Sequence, residues 1–436
     1  MLSLTNKRLC LAWVGLIALC GAGGLTLPAR ASEAGALRVG YADVDITPEL
    51  GHTMPGYFEE RRASGVLDPL RAKALVLTQG DTTLAIVALD LIGVEKPIAD
   101  DIRSAVSQKT GIPIERIFLH ATHTHTGATV SEIKDQLPGQ VAEAVQQALD
   151  RRVEEPMVTL GTREEHRIAF IRRYLMQDGT VRTNPGIGNP DIVRPIGKID
   201  PAVYAVTFSQ SKTILASFGL HLDCVGGTLY SADYPYHMTE AVKKELGNDW
   251  NVIYLNACCG NVNHFNVNNP NQRSGYEVSR SIGQKLAESV LWAHRNGAAI
   301  PVETIGAKAE IVPTPARRIP DDLVKWAREQ MAADPAAASK RKFNEETPSR
   351  ILELAQVQDT PRPADIIAFR IGPVGLVGLP AETFVEVGRD IKTHSLFDPT
   401  LVIGLTGGSM GYLPHPRGYD EVGYEGTIAS ARNARE

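Results

Sequence analysis

The segment FLHATHTHTGAT, residues 118–129, holds three of the chain's eleven histidines: His120, His123 and His125. A mostly apolar lead-in from Ile114 predicts a buried strand that ends here, and the Thr-Gly-Ala-Thr after the histidines predicts a turn. Alternate residues of an extended segment share a face, so His123 and His125 can point at one place. Open α/β sheets carry their chemistry at such strand ends. The alternative is a set of surface or hydrogen-bonded core histidines, but the closely spaced pair favours metal ligation or proton transfer.

Length and composition bound the class of protein. With 436 residues, 43% of them hydrophobic and 22% charged, the chain can build a sizeable core, as one large α/β body or as about two to three average domains. The formal net charge is −5, and the sequence has neither a basic block nor a long acidic tail. This balance predicts no nucleic-acid partner and no attraction to an anionic membrane.

The N-terminus has the pattern of a secretory signal peptide. Lys7 and Arg8 precede the apolar run Leu9–Leu25, and Ala29–Ala31 offers a small-residue cleavage site. We predict that residues 1–31 are removed after Ala31. The mature chain is then secreted or periplasmic, without a stable transmembrane anchor. A membrane anchor is the alternative, and the glycines near the end of the apolar run argue against it.

Three cysteines remain after the predicted cleavage: Cys224, Cys258 and Cys259. An oxidising compartment permits a disulfide between Cys224 and one of the adjacent pair, which would leave one thiol over. The adjacent pair is poorly placed to bond to itself because that geometry is strained. We favour the alternative that all three are small buried residues.

Apolar strand patterns alternate with helical patterns along the chain. Thr83–Val94 predicts a buried strand, Pro97–Lys109 the helix after it, and Glu382–Lys392 a helix that follows another buried strand. This alternation predicts a layered α/β fold with a mostly parallel or mixed sheet and helices on both faces. We find no linker in residues 32–436 and expect a single large domain. The stretch Arg317–Pro363, rich in alanine, charge and proline, is predicted to be a helical excursion or a lid.

Five segments place polar residues where an apolar strand ends. In chain order, these segments are 123–125, 219–235, 256–267, 378–388 and 407–426. Each has a plain structural interpretation by itself, such as a core histidine, a turn or a helix N-terminus. Together they are expected along one edge of the sheet, where strand ends gather. Two histidines and a carboxylate drawn from different segments make a donor set of the kind that a catalytic zinc site needs.

On these motifs, the chain resembles the catalytic domain of the neutral/alkaline (non-lysosomal) ceramidases. The resemblance covers most of the mature chain and rests on VGYADVDITPELG from Val39, ATHTHTGA from Ala121, FGLHLDCVGGTLYSADYP from Phe218, NACCGNVN from Asn256, PAETFVEVGRDIK from Pro380 and GYLPHPRGYDEVGYEG from Gly411. The chain ends ten residues after the YEG motif. The resemblance therefore implies a short bacterial relative without the C-terminal immunoglobulin-like domain of the long ceramidases.

The resemblance implies a zinc amidase with one Zn²⁺ per chain. Its metal ligands fall on His123, His221, Glu382 and Tyr412. The place of the tyrosine follows from register, counted back from Tyr424 in the YEG motif. His125 falls where the family's second motif histidine contacts the metal-bound water or the substrate.

One turn departs from the family's pattern. The glycine-acid-x-serine turn of the family reads Gly260-Asn261-Val262-Asn263 here, so Asn263 stands in the place of the serine. An amide side chain can donate to an oxyanion but cannot act as a nucleophile. We therefore predict that water attacks the amide, with His125 and Asn263 as the catalytic side chains. Asn261 is predicted to support these residues or to bind the substrate. The chain also lacks long apolar loops for a lipid tail, which argues against ceramide itself as the substrate.

Four further polar residues are candidates around the site. Asp223 and Asp233 are predicted to hold imidazole N–H groups, or else only to shape turns. Arg172 and Arg173 are predicted to clamp a carboxylate or sulfate of the substrate, or else to lie on a solvated strand face.

The sequence leaves three hypotheses of function. The first is an exported zinc-dependent hydrolase that cleaves an amide (N-acyl) bond of a small molecule, lipid or saccharide with metal-activated water. The second is a metal-dependent enzyme that acts on a polysaccharide or an ester. The third is an exported binding protein that has kept the scaffold without catalysis, which an intact ligand set argues against.

A ligand substitution tests the metal assignment. We expect His123→Ala to abolish bound zinc, because the remaining donors no longer complete a coordination shell. Elemental analysis of the purified variant measures the zinc content beside the wild-type protein. Full zinc occupancy in the variant would refute the assignment of His123 as a ligand.

Overall fold

The computed structural model of the protein describes residues 35–340, 343–428 and 430–433. The predicted signal peptide, residues 1–31, lies outside the described residues. Among the helices of the described part, none combines the length and the apolar character needed to cross a bilayer.

Three mixed sheets form the framework of the fold. In spatial order, the strands of the first sheet are Ile117–Ala121, Thr82–Leu89, Arg71–Gln79, Arg38–Asp45 and Val153–Glu154. Those of the second sheet are Asn251–Asn256, Thr213–Phe218, Ala202–Phe208, Val158–Glu164 and Ala298–Ile300. Those of the third sheet are Ile305–Thr314, Arg362–Ile371, Val374–Gly378 and Thr400–Ile403. In each sheet one edge pair is parallel and the other pairs are antiparallel.

Short ribbons and helices complete the described chain. A small sheet contains Val181–Thr183, Arg173–Met176 and Ile192–Pro195. The two-stranded ribbons pair Phe170–Ile171 with Val262–Asn263, Leu229–Tyr230 with Gly65–Val66, Thr53–Met54 with Arg61–Arg62, and Glu382–Thr383 with Tyr412–Leu413. The α-helices are Lys96–Thr110, Val130–Ile133, Leu137–Asp150, Tyr234–Leu246, Tyr276–Asn296, Asp321–Ala333, Pro335–Ser339, Pro348–Ala355, Val385–His394, Pro416–Glu421 and Gly423–Gly426, and Ile114–Arg116 is a 3₁₀ turn.

The inner faces of the three sheets share one apolar core. Phe118 of the first sheet stands edge-on to Phe369 of the third, with 5.5 Å between the ring centroids. Val206 and Leu215 of the second sheet and Leu376 of the third belong to the same buried cluster. Because successive residues of a strand point to opposite faces, the other face of each sheet needs a separate cover.

Helices provide that cover on the outer faces. The cluster outside the first sheet includes Lys96–Thr110 and Leu137–Asp150, and the cluster outside the second includes Tyr234–Leu246 and Tyr276–Asn296. The helix Val385–His394 packs outside the third sheet. The layered α/β fold with mixed sheets is therefore confirmed, and helices cover the outer face of each sheet.

The carboxyl ends of the three parallel edge pairs meet at one junction. The amide of Ala121 donates to Leu405 O at 3.1 Å, and the amide of Gly404 donates to Asn256 O at 3.2 Å. His120 ties the same strand ends together: its Nδ1 donates to Gly404 O at 2.9 Å, and its Nε2 accepts from the Asn256 amide at 3.1 Å. His120 is thus a hydrogen-bonded core histidine. The loops that leave this junction carry the candidate site.

Three local predictions can be compared with the structure. The helix predicted from Glu382 begins at Val385, because Glu382 forms a strand pair with Tyr412 instead. The described residues of Arg317–Pro363 form three helices, whereas the role of this stretch as a lid stays a prediction. The three cysteines of the described chain are free and buried, which confirms their interpretation as small core residues.

The shared core makes a prediction about stability. Phe118→Ala leaves a cavity where the sheets meet, so we expect the free energy of unfolding to fall by about 3–5 kcal/mol. Chemical denaturation measures the change. Leu396→Ala is the control, because Leu396 is 63% exposed. A loss for Phe118→Ala no larger than the control's would contradict a core centred on this ring.

Candidate metal centre

His123 enters the site from the end of the strand Ile117–Ala121. Its backbone is left-handed, with φ of 85°, a conformation that is uncommon outside glycine and concentrates at functional sites. The amide donates to Leu91 O at 2.9 Å and Nδ1 donates to Ile92 O at 2.7 Å. Because a carbonyl oxygen only accepts, the proton is on Nδ1, and the lone pair of Nε2 is left for the site.

His221 follows the strand Thr213–Phe218 and is oriented in the same way. Its Nδ1 lies 3.4 Å from Cys259 O, and its amide lies 3.4 Å from Val262 O. Both carbonyls belong to the segment that follows the neighbouring parallel strand, Asn251–Asn256. The Nδ1 proton of His221 therefore also faces the backbone, and its Nε2 faces the site.

Glu382 reaches the site from the third sheet. It pairs with Tyr412 in the parallel ribbon, and its amide donates to Gly411 O at 3.0 Å. This pairing places the carboxylate and the phenol side by side, and Tyr412 helps to lower the pKa of Glu382. Two residues far apart in sequence are thus neighbours through strand register.

Three electron-pair donors converge here, and we call His123 Nε2, His221 Nε2 and Glu382 Oε2 the donor set. The two nitrogens are 3.1 Å apart, and the oxygen lies 3.2 Å from His123 Nε2 and 3.8 Å from His221 Nε2. In neutral imidazoles with the proton on Nδ1, no proton lies between these atoms. Tetrahedral zinc ligands at about 2.0–2.1 Å from the metal are about 3.3 Å from one another. The donor set therefore fits a zinc-sized cation.

The electrostatics of the donor set favour the metal-binding forms. Burial raises the pKa of Glu382, but its interactions with His123, with Tyr412 and with the Arg172 cation outweigh burial and hold the pKa at about 2. Burial and the nearby Arg172 cation lower the pKa of His221 well below its usual value. The carboxylate is thus ionised and the imidazole neutral, as metal ligands must be.

His125 stands beside the donor set. Its ring centroid lies 5.0 Å from that of His123 and 5.1 Å from that of His221. Burial lowers the pKa of His125 to about 4, and neither ring nitrogen has a hydrogen-bond partner among the described residues. One ring nitrogen from each of the three histidines lies within 4.8 Å of the others, so the three could hold a metal ion. His125 therefore suits two roles, a third imidazole ligand or a proton acceptor.

Arg172 lies behind the ligands rather than in front of them. It is 5% exposed, and its Nη2 donates to the Tyr412 hydroxyl at 2.9 Å. Its Nε donates to Glu425 Oε1 at 2.7 Å, and its Nη1 lies 3.5 Å from His221 Nε2. These internal partners occupy the guanidinium of Arg172. The side chain therefore neither clamps a substrate nor lies on a solvated strand face, the two roles predicted from the sequence.

Glu425 is a site residue that sequence reasoning missed. Its carboxylate is fully buried and accepts hydrogen bonds from Arg172, from Arg173 at 3.1 Å and from Thr183 at 2.5 Å. Arg173 also pairs with Glu421 at 3.2 Å, so it too is turned inward and not toward a substrate. The sequence does contain a signal for this residue, because Glu425 is the glutamate of the YEG motif.

The two candidate aspartates differ in their partners. Asp223 Oδ1 lies 3.6 Å from His125 Nδ1 and accepts a hydrogen bond from the Tyr57 hydroxyl. The Asp233 carboxylate accepts from three backbone amides, those of Cys224, Val225 and Tyr234. Asp233 therefore shapes the turn and begins the helix Tyr234–Leu246. The imidazoles of the donor set are held by backbone carbonyls rather than by either carboxylate.

The candidate asparagines hold the backbone around the site. Asn261 Oδ1 accepts from the first amide of the helix Val385–His394 at 3.0 Å. Asn263 Nδ2 donates to Asn184 Oδ1 at 2.7 Å, and its Oδ1 accepts from the Phe265 amide at 3.0 Å. Within the described residues, no hydrogen bond joins either side chain to the donor set. The role of Asn263 as an oxyanion donor stays a prediction.

A pocket of about 170 Å³ opens onto the site. Its lining includes His123, His125, Glu382 and Tyr412 at the floor and Tyr57, Phe58, Tyr424 and Arg432 around them. The stretch Arg317–Pro363 borders the mouth of this pocket, because its Phe343 stacks on Tyr424 with 4.6 Å between ring centroids. The pocket gives a substrate access to the donor set.

Comparisons with known proteins place the fold. No family model and no curated protein sequence matches the chain. The crystal structure of neutral ceramidase from Pseudomonas aeruginosa aligns with a TM-score of 0.70 and 18% identity over 92% of this chain and 72% of that chain. A ceramidase complexed with C2 aligns with a TM-score of 0.70 and 17% identity over the same shares. The chain has a ceramidase-like fold. The resemblance seen in the sequence is confirmed at the level of the fold.

The buried carboxylate behind the site makes a prediction. Glu425→Gln leaves two buried guanidinium groups without their shared anion, so we expect a loss of about 3–5 kcal/mol in unfolding free energy. Zinc affinity should fall about 10- to 100-fold, because Arg172 no longer holds Tyr412 in place.

Denaturation and zinc titration measure these two effects. Glu421→Gln is the matched control, since Glu421 is 28% exposed, lies four residues before Glu425 and pairs with Arg173 but not with Arg172. We expect about 0–1 kcal/mol for this partly exposed pair. Equal losses of unfolding free energy and zinc affinity in the two variants would contradict the role of Glu425 as the shared anion of Arg172 and Arg173.

Proposed function

We propose that the protein is an exported zinc-dependent hydrolase that cleaves an amide (N-acyl) bond with water as the nucleophile. The ceramidase-like fold supports the proposal, since two solved structures that it resembles are ceramidases. Export rests on the N-terminal sequence pattern. The substrate class is a small molecule, lipid or saccharide that carries an acylated amine.

The donor set is the observation that carries the proposal. Buried polar atoms are nearly always paired, because an unpaired one has lost its water without compensation. Glu382 Oε2 is buried without a hydrogen-bond partner among the described residues, and two unprotonated imidazole nitrogens face it. A divalent cation satisfies all three atoms at once. Two imidazoles and a carboxylate, with a position left for water, are typical ligands of catalytic zinc.

The reaction follows from the side chains around the donor set. Bound Zn²⁺ would polarise the scissile carbonyl and lower the pKa of a coordinated water from about 15.7 toward about 7. His125, with free ring nitrogens, takes a proton from the attacking water and returns it to the leaving amine. Arg172 holds the Tyr412 hydroxyl against the ligands. Asn263 uses one amide hydrogen on Asn184, and the other is left for the developing oxyanion.

The size of the pocket supports a compact reacting group. Ligand sites typically measure about 300–1,000 Å³, whereas this pocket measures about 170 Å³. The amide and its immediate neighbours fit inside, and the rest of the substrate extends past the aromatic rim at Phe58 and Phe343. Two long lipid chains find no enclosed room in such a pocket, which argues against ceramide itself.

A substitution of His125 tests the mechanism. We expect His125→Gln to lower kcat about 10²- to 10⁴-fold, the range for loss of a general acid–base, while one zinc per chain is retained. Kinetics on N-acyl lipids, N-acetylated sugars, uronic-acid polymers and simple esters would identify the bond, and elemental analysis would measure zinc.

The control is His166→Gln, whose side chain is 62% exposed and pairs with Glu164 away from the pocket. Zinc loss in His125→Gln would make His125 a ligand instead of a proton acceptor. Absence of amide turnover by the zinc-loaded wild-type protein across the panel would refute the proposed reaction.

A further inference from the structure

His125 is held differently from the other two histidines of the site. His123 and His221 each direct Nδ1 at a backbone carbonyl, which fixes the orientation of the ring. Neither ring nitrogen of His125 has a hydrogen-bond partner among the described residues, although the residue is only 9% exposed. A ring without such an anchor can rotate about its side-chain bonds unless its surroundings prevent it.

Arg61 anchors the backbone of His125. Its Nη2 donates to His125 O at 2.7 Å and to Pro55 O at 2.6 Å, and its Nη1 donates to Gly227 O at 2.8 Å. One guanidinium thus joins three loops, from three distant parts of the chain. Arginine suits this task because its planar group carries five donors in a fixed geometry.

The same guanidinium also supports the wall against the His125 ring. It lies over the Tyr57 ring, 4.0 Å from the centroid. The Tyr57 ring stands edge-on to His125 at 5.7 Å between centroids, and the Tyr57 hydroxyl donates to Asp223. Asp223 Oδ1 in turn lies 3.6 Å from His125 Nδ1. Arg61, Tyr57, Asp223 and His125 therefore form a closed circuit of contacts.

Close packing completes the restraint on the ring. Gly56 has φ of 102°, and a Cβ atom at this position would lie 2.7 Å from His125 Nδ1. The backbone of residue 56 therefore closes one side of the ring, next to the loop that Arg61 holds through Pro55. Arg61 thus acts on the main chain of His125 and on two of the groups that surround its ring.

We propose that Arg61 is a positioning residue for catalysis, which fixes the His125 imidazole through its backbone carbonyl and through Tyr57. The inference rests on the proposed function, in which His125 moves a proton. Arg61 itself contacts no atom of the donor set and does not line the pocket. Its effect should therefore be on the geometry of His125 and not on metal binding.

The kinetic test compares Arg61→Met with Arg61→Lys. Loss of the guanidinium should lower kcat about 10- to 100-fold through misplacement of the imidazole, with KM and the zinc content close to wild type. Lysine can still reach a carbonyl but cannot stack as a plane on Tyr57. The kcat of Arg61→Lys should therefore lie between those of Arg61→Met and wild type.

The neighbouring arginine is a matched control. Arg62 has a side chain that is 59% exposed and pairs with Glu60 at 2.7 Å. Arg62→Met should leave kcat, KM and zinc content unchanged. A kcat for Arg61→Met equal to that of Arg62→Met would overturn the proposal. A loss of kcat that merely follows reduced zinc content or a reduced folded fraction would also overturn the proposal. Either result would indicate that Arg61 only stabilises the fold.

A spectroscopic test does not depend on the substrate. In zinc-loaded protein with ¹⁵N-labelled histidine, the ring signal of His125, identified by its absence in His125→Gln, should shift or broaden in Arg61→Met. The signals of His123 and His221 should stay in place. An unchanged His125 signal would overturn the role of Arg61. If the wild-type protein hydrolyses no amide, the proposed function fails, whereas this spectrum still decides whether Arg61 positions His125.

Discussion

The structure depends on one constraint: three unprotonated donor atoms must be held against one another inside the protein. Two imidazole nitrogens and a carboxylate oxygen at 3.1 to 3.8 Å would repel without a cation between them. The surrounding backbone must therefore prevent each ring from turning away. It does so by receiving the Nδ1 proton of His123 on Ile92 O and that of His221 on Cys259 O. Both carbonyls lie in loops that directly follow strands, so the ends of the sheets help to set the orientation of the rings.

This constraint explains why the fold needs three sheets with one parallel edge pair each. Parallel strands end at the same edge, and here the three edges meet at the junction closed by His120 and Gly404. Each sheet then delivers one ligand over a short loop. A single continuous sheet would spread the same loops along its edge, several strand spacings of about 4.8 Å apart.

Sequence reasoning was most successful where a donor depends on local geometry. The pair His123 and His125 follows a buried strand, and the two-residue period of an extended segment correctly predicted that both face one place. Glu382 lies beside the two imidazoles, but a helix was predicted where the chain forms a ribbon with Tyr412. That ribbon pairs two segments that are distant in sequence, so the local periodicity of neither segment indicates it. The antiparallel strand Arg38–Asp45 escaped prediction for the same reason, since its partners lie elsewhere in the sequence.

Charged residues were the hardest to place. From the sequence alone, Arg172 and Arg173 are expected on a solvated face, because lone buried cations are costly. Their burial follows from Glu425, which lies in the last part of the chain and pairs with both. Asp233 was expected either at an imidazole or in a turn, and three backbone amides around its own turn bind its oxygens. Such outcomes depend on which partner the fold brings near.

The choice of carbonyls rather than carboxylates behind the imidazoles affects the chemistry. A carboxylate partner makes a ligating imidazole more basic and passes more negative charge to the metal. A carbonyl partner leaves the imidazole neutral, so Glu382 is the one formally charged member of the donor set. Arg172 and Arg173 are balanced by Glu425 and Glu421 and add little net charge. A divalent cation on this donor set therefore keeps much of its positive charge, as polarisation of an amide carbonyl requires.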